Sequence, residues 1–179
     1  MSNYCIYLKL APYLAQWFVH RHGGNEPVRL RRGSPEIDIM QLFLSRRPDG
    51  VAPQCATDGA TAVEVPYFRG KDPRVYTYMP ERALAALVNN IRVQFDVEMW
   101  ADLHNFGNIG SEQQDLIYAW MEKHGIECTE TNWQAIAARY RRKRKNKSEK
   151  KQKNLSTSEA ILSDSEFSEN TENSEISAE

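Results

Sequence analysis

The stretch Ser111–Lys153, SEQQDLIYAWMEKHGIECTETNWQAIAARYRRKRKNKSEKKQK, reads as two short helices followed by a cationic extension. Ser111 and Gln114 have the spacing of a capping box, in which each side chain satisfies an orphan donor of the first turn. Leu116, Ile117, Trp120 and Met121 follow at helical spacing, and Gly125 stands where a left-handed helix end favours a residue without Cβ. Thr131 and Gln134 repeat the capping signature. Trp133, Ile136, Ala137 and Tyr140 then give a second helix a narrow apolar face. That helix has no C-cap of its own and runs directly into Arg139, Arg141, Arg142, Lys143, Arg144, Lys145 and Lys147, with Lys150, Lys151 and Lys153 beyond.

Working outward toward the N-terminus, Pro80 opens the longest helical pattern, which reaches Phe106. Leu84, Val88, Ile91, Phe95, Met99, Leu103 and Phe106 hold steps of three or four and predict one buried stripe. Before it, Tyr4–Leu10 (YCIYLKL) is rich in aromatic and β-branched residues and reads as a strand. Pro12 suits the first turn of a helix through Tyr13, Leu14, Trp17 and Phe18, which Gly23-Gly24 stops. Val28–Arg32 reads as a short strand. Ser34-Pro35 starts a helix through Ile37, Met40, Leu42, Phe43 and Leu44 that ends before Pro48. Residues 48–60, punctuated by Pro, Gly and Asp, read as a loop. Thr61–Phe68 and Arg74–Met79 read as strands around an RGKDP turn. The expected fold is α+β: a small N-terminal α/β layer, a long connecting helix, a helix-turn-helix-like pair and a disordered acidic tail. The corresponding divisions are residues 1–106, 107–147 and 148–179.

Charge is distributed in blocks that cancel. The chain has 179 residues and a net charge of −1. Residues 1–138 hold 13 Lys and Arg against 16 Asp and Glu, residues 139–153 hold 10 against Glu149 alone, and residues 154–179 hold seven acids and no base. The overall balance therefore says little about partners. The last segment, rich in Ser, Glu and Asn, has too few apolar residues to offset its chain entropy and is expected to be disordered alone. Cys5, Cys55 and Cys128 are odd in number and far apart, which argues for a reduced compartment with neither disulfide framework nor zinc ribbon. No run of about 18 apolar residues is present and the N-terminus has no signal-peptide pattern, so a cytoplasmic protein without a membrane partner is expected.

Two resemblances add to this. Glu112–Gly125, with Lys123-His124-Gly125 at its end, followed by Trp133-x-x-Ile136-Ala137, resembles the first two helices of a Myb/SANT-type repeat. In that family a third helix enters the major groove; here the basic extension stands in its place. The segments YCIYLKL, PYLAQWFVHRHGG, FRGKDPRVY, DLHNFGNIG, DLIYAWMEKHGI and NWQAIAARYRRKRK together resemble a set of proteins encoded in Mu-like prophages. That resemblance, over about residues 3–145, implies a bacterial mobile-element role and supplies no catalytic residues.

The basic run is the sharpest functional signal. Lys and Arg near phosphates release condensed counterions and give affinity without base contacts. Ten cations in fifteen residues exceed what a helix C-terminus needs for its macrodipole. DNA is the expected partner, with RNA left open, and the acidic tail is expected to compete for the same cations. Protein partners would bind residues 1–106 or the tail; an adaptor using the basic arm and acidic tail is the first alternative reading, and a DNA-processing enzyme the second. Trp120, Trp133 and Tyr140 could stack on bases, but their spacing favours a small core between two helices. Arg69, Lys71 and Arg74 on the RGKDPR turn are candidate phosphate contacts. His20, His22 and Glu26 could hold a metal, and Glu98 and Asp102, four apart on the long helix with His104 off their face, could be paired carboxylates, but no HExxH-like spacing appears and solvated helix charges are the simpler expectation. No P-loop, GxGxxG or GxSxG is present, so neither cofactor, metal nor catalytic residue is expected.

Overall fold

The computed structural model describes residues 4–106 and 113–149, excepting the side chains of residues 105, 106 and 113. The expected capping box at Ser111, the basic residues Lys150, Lys151 and Lys153, and the acidic tail lie outside the described residues. The fold is α+β. Among the described residues it has five helices and one two-stranded antiparallel sheet: β1 (Cys5–Lys9), α1 (Pro12–Arg21), α2 (Pro35–Phe43), β2 (Ala60–Glu64), α3 (Glu81–Phe106), α4 (Gln113–Lys123) and α5 (residues 130–149). By spatial contact the chain divides into Met1–Ala137 and Ala138–Glu179.

The first unit is organised around α3, which packs against β1, α1, α2 and α4. Its buried positions are Ala83, Leu87, Ile91, Phe95, Met99 and Leu103, at successive steps of four. Four residues turn a helix through about 400°, so such a stripe drifts ~40° per step. Different neighbours can therefore cover it along its length. The expected stripe was right from Ile91 to Leu103 and wrong at the start: Leu84 and Val88 are only half-buried and line a cavity of about 520 Å³ beside Tyr7 and Leu8 of β1. Phe95 is the centre of the core. Its ring meets Tyr13, Trp17 and Trp120 at centroid distances of 5.3, 5.4 and 5.4 Å, the last two edge-on. One side chain thus joins α1, α3 and α4.

The sheet is smaller than the expected layer. β1 and β2 pair antiparallel, with Ile6 opposite Val63 and Leu8 opposite Thr61, all four buried. Val28 adds one parallel bridge, donating its N–H to Ala62 O and accepting from Glu64 N, before Ser34 N bonds Arg31 O and turns the chain away. The expected strand at Val28–Arg32 is therefore a single bridge. Arg74–Met79 is not a strand either. Asp72 accepts from Arg74 N at 2.9 Å through its side chain, and from Val75 N and Tyr76 N through its carbonyl, holding the segment in a turn. Only Tyr78 pairs, reciprocally with Ser45 at 2.9 and 3.2 Å.

Helix ends follow local chemistry. Pro12 and Pro35 occupy the first turns of α1 and α2, where no backbone donor is lost. Gly24 N closes α1 onto Val19 O at 2.9 Å. For α5 the cap is Thr129, not Thr131: Asn132 N donates to Thr129 Oγ1 at 3.3 Å. Gln16 of α1 then fastens the α4–α5 link, its Oε1 accepting from Glu127 N at 3.0 Å and from Asn132 Nδ2 at 3.2 Å. Gly125 has φ +64°, and a Cβ there would overlap the His20 ring on α1.

Candidate functional site

In the second unit, residues 138–149 are helical. Arg141, Arg142, Arg144, Lys145 and Lys147 are exposed, Arg139 and Lys143 half-buried, and Tyr140 buried. At ~100° per residue, Arg141, Arg142, Arg144 and Lys145 fall within about 160° of one another, with Tyr140 and Lys143 on the other side. The run therefore folds as a helix with a cationic face. Glu149 is the single acid in 139–149, and it lies 3.9 Å from Lys145.

Of the three aromatic residues, Tyr140 is buried, and Trp120 and Trp133 belong to the first unit. Trp120 is buried against Phe95 and donates its indole N–H to Asp102 at 3.2 Å. Trp133 is half-buried and stacks on Tyr118 with centroids 6.1 Å apart. Both serve the packing of the first unit.

The turn cations separate into two roles. Lys71 Nζ donates to Gln41 O at 2.5 Å and Leu44 O at 2.8 Å, satisfying carbonyls that the end of α2 leaves open. It acts as a helix cap, which engages two of its three ammonium donors. Arg69 is exposed. Arg74 lines a cavity of about 410 Å³ together with Arg46 and Arg47. The sequence reading missed those two. The Arg46-Arg47-Pro48 string was visible, but its approach to Arg74 depends on the Ser45–Tyr78 bridge.

The carboxylates of α3 have found partners. Glu98 pairs with Arg21 of α1 and lies 3.3 Å from His124 Nδ1. Asp102 Oδ2 lies 3.2 Å from His124 Nε2, 3.0 Å from Lys123 Nζ and 3.2 Å from Trp120 Nε1. Burial pushes the Asp102 carboxyl up, but hydrogen bonds from Lys123, His124 and Trp120 outweigh it and hold the group below its ordinary range. Both ring nitrogens of His124 face carboxylates, so neither is directed at a substrate. The arrangement reads as a polar lock between α1, α3 and α4, where solvated helix charges were expected. His104 stays outside it, stacked on Trp100 at 4.6 Å.

His20 and His22 do not form a metal site with Glu26; among the described residues no group of three His, Cys, Asp or Glu could hold an ion. His20 packs on Gly125, and His22 packs edge-on against Phe18 with its ring nitrogens buried. Burial foremost lowers the His22 pKa, with Arg21 and Arg31 adding to the effect and Glu36 opposing it. Glu36 is itself 1% exposed and accepts from Gln94 of α3.

No helix among the described residues is long and apolar enough to cross a membrane. Compared with known proteins, the chain matches no protein-family model, no curated protein and no solved structure.

Proposed function

We propose that this protein binds nucleic acid, DNA in the first instance, through the cationic face of α5, as a non-enzymatic accessory or regulatory protein of a mobile genetic element. The observation that carries the binding is the grouping of Arg141, Arg142, Arg144 and Lys145 on one exposed helical face. Residues 139–147 span ~12 Å at 1.5 Å per residue. Duplex DNA presents one phosphate charge per ~1.7 Å of axis, so several cations can be neutralised at once. The mobile-element role rests on the resemblance to Mu-like prophage proteins. Contacts of this kind grip the backbone and do not read bases, which suits an accessory role. The acids of residues 154–179 would compete with phosphates for the same cations at high effective concentration.

Fluorescence anisotropy of random-sequence duplex DNA, titrated with the full chain over a salt series, tests this reading. Replacing Arg141, Arg142, Arg144, Lys145 and Lys147 with Gln is expected to weaken binding for every sequence. The slope of log affinity against log salt should flatten by about 0.9 for each lost phosphate contact. Affinity and slope equal to those of the unaltered protein would remove the arm from the account.

A further inference from the structure

The cavity after α2 gathers three arginines from two distant segments and neutralises only part of their charge. Arg46 and Arg47 follow α2, and Arg74 follows the Asp72 turn; the reciprocal Ser45–Tyr78 backbone pair fixes the two segments side by side. Asp49 is the one acid in the lining. Among the described residues none of the three guanidiniums has an ion-pair partner. Arg46 instead lies over the Tyr76 ring, 5.6 Å from its centroid. Like charges held around one space repel each other, and that cost is offset when an anion fills it. Lys71, the nearby lysine, is spent on α2 carbonyls, so the cations facing the cavity are all arginines. A guanidinium offers a planar fork of N–H donors that matches two phosphate oxygens, which an ammonium cannot do. Val51, Val75 and Pro48 supply apolar wall, and about 410 Å³ lies within the usual range for small-ligand sites.

We propose that this cavity is a phosphate-binding site, with Arg47 and Arg74 as the principal ligand contacts and Arg46 as a third cation held in place by Tyr76. The phosphate is carried either by a small phosphorylated molecule or by a nucleic-acid backbone crossing the mouth. The chemistry of recognition is the same for both. The site shares no residue with the α5 arm.

Isothermal titration of the full chain with inorganic pyrophosphate tests the proposal. One pyrophosphate per chain is expected. The α5 variant with five glutamines should retain that binding unchanged, whereas the double variant Arg47→Gln/Arg74→Gln should bind at least ~10-fold more weakly, as loss of charge-assisted bonds requires. Arg74→Lys, which keeps the charge and loses the fork, should fall between them and guards against a folding defect in the double variant. If short duplex DNA displaces the pyrophosphate, the site takes a backbone phosphate; if it does not, the site takes a small phosphorylated molecule. No saturable binding to the unaltered chain would overturn the proposal. So would binding that survives Arg47→Gln/Arg74→Gln and disappears in the arm variant.

Discussion

Arg21, Glu98, Asp102, Lys123 and His124 meet where α1, α3 and α4 converge, and each basic side chain there faces a carboxylate. Arg46, Arg47 and Arg74 gather in the same unit around a cavity whose lining holds one acid, Asp49. Both clusters draw on segments remote in sequence, and both are partly open to water. They differ in whether the charges are answered from within the chain. The first cluster has its hydrogen-bonding capacity turned inward and fixes helices; the second has it turned outward and is available to a ligand. Pairing, more than charge count, separates a structural cluster from a binding one.

The sharpest way to break this comparison is through Trp120, which belongs to the first cluster and to the core. Trp120→Ala removes its edge-on contact with Phe95 and its bond to Asp102 together. A loss of ~3–5 kcal/mol is expected in urea unfolding, as for other buried aromatic truncations. A loss below 1 kcal/mol would mean that the lock does not hold α4 to α3.

Asp102→Asn is expected to cost less, about 1–3 kcal/mol, because Lys123 and Trp120 lose a charged acceptor while the packing remains. Its pH signature is specific. The folded Asp102 carboxyl lies below its ordinary range, so its contribution is complete above the unfolded value of ~3.9 and disappears as pH falls through the folded value. Acid titration of stability should therefore be shallower below about pH 4 in Asp102→Asn than in the unaltered chain. Equal acid slopes would show that the carboxylate gains nothing from its partners.

The smallest effect is expected at the open cluster. Arg47→Gln and Arg74→Gln, both exposed and without ion-pair partners among the described residues, should each change stability by no more than ~0.5 kcal/mol. A loss above 1 kcal/mol would show that these arginines hold the fold and that the contrast between the clusters is false.

What could be read from sequence was whatever depends on near neighbours. Pro12 and Pro35 marked helix starts, Gly125 marked a helix end, and the steps from Ile91 to Leu103 marked a buried face. The errors came where a distant residue decided the outcome. Leu84 and Val88 have the right spacing, but Ala83 and Leu87 take the buried positions and leave them beside a cavity. Arg74–Met79 has strand composition, yet Asp72 curls it and only Tyr78 finds a partner. Glu98 and Asp102 were visible as a pair four apart, while Arg21 and His124 lie 77 and 22 residues from the carboxylates they bind. The arginine cavity was half visible for the same reason: Arg74 stood in a recognisable turn, and no local rule connects it with Arg46 and Arg47.

The Gln16 fastening has a consequence for biosynthesis. Its partners, Glu127 and Asn132, are separated from it by 111 and 116 residues. A nascent chain lengthens at roughly 5–20 residues per second, so α1 emerges from the ribosome several seconds before the residues that close over it. During that interval α1 can pack on α3, while α3 itself still lacks α4. Docking of the C-terminal segment of the first unit onto α1 therefore waits until residue 132 has been made. A ribosome stalled before residue 132 would display an incomplete core to chaperones and proteases, however sound its first hundred residues.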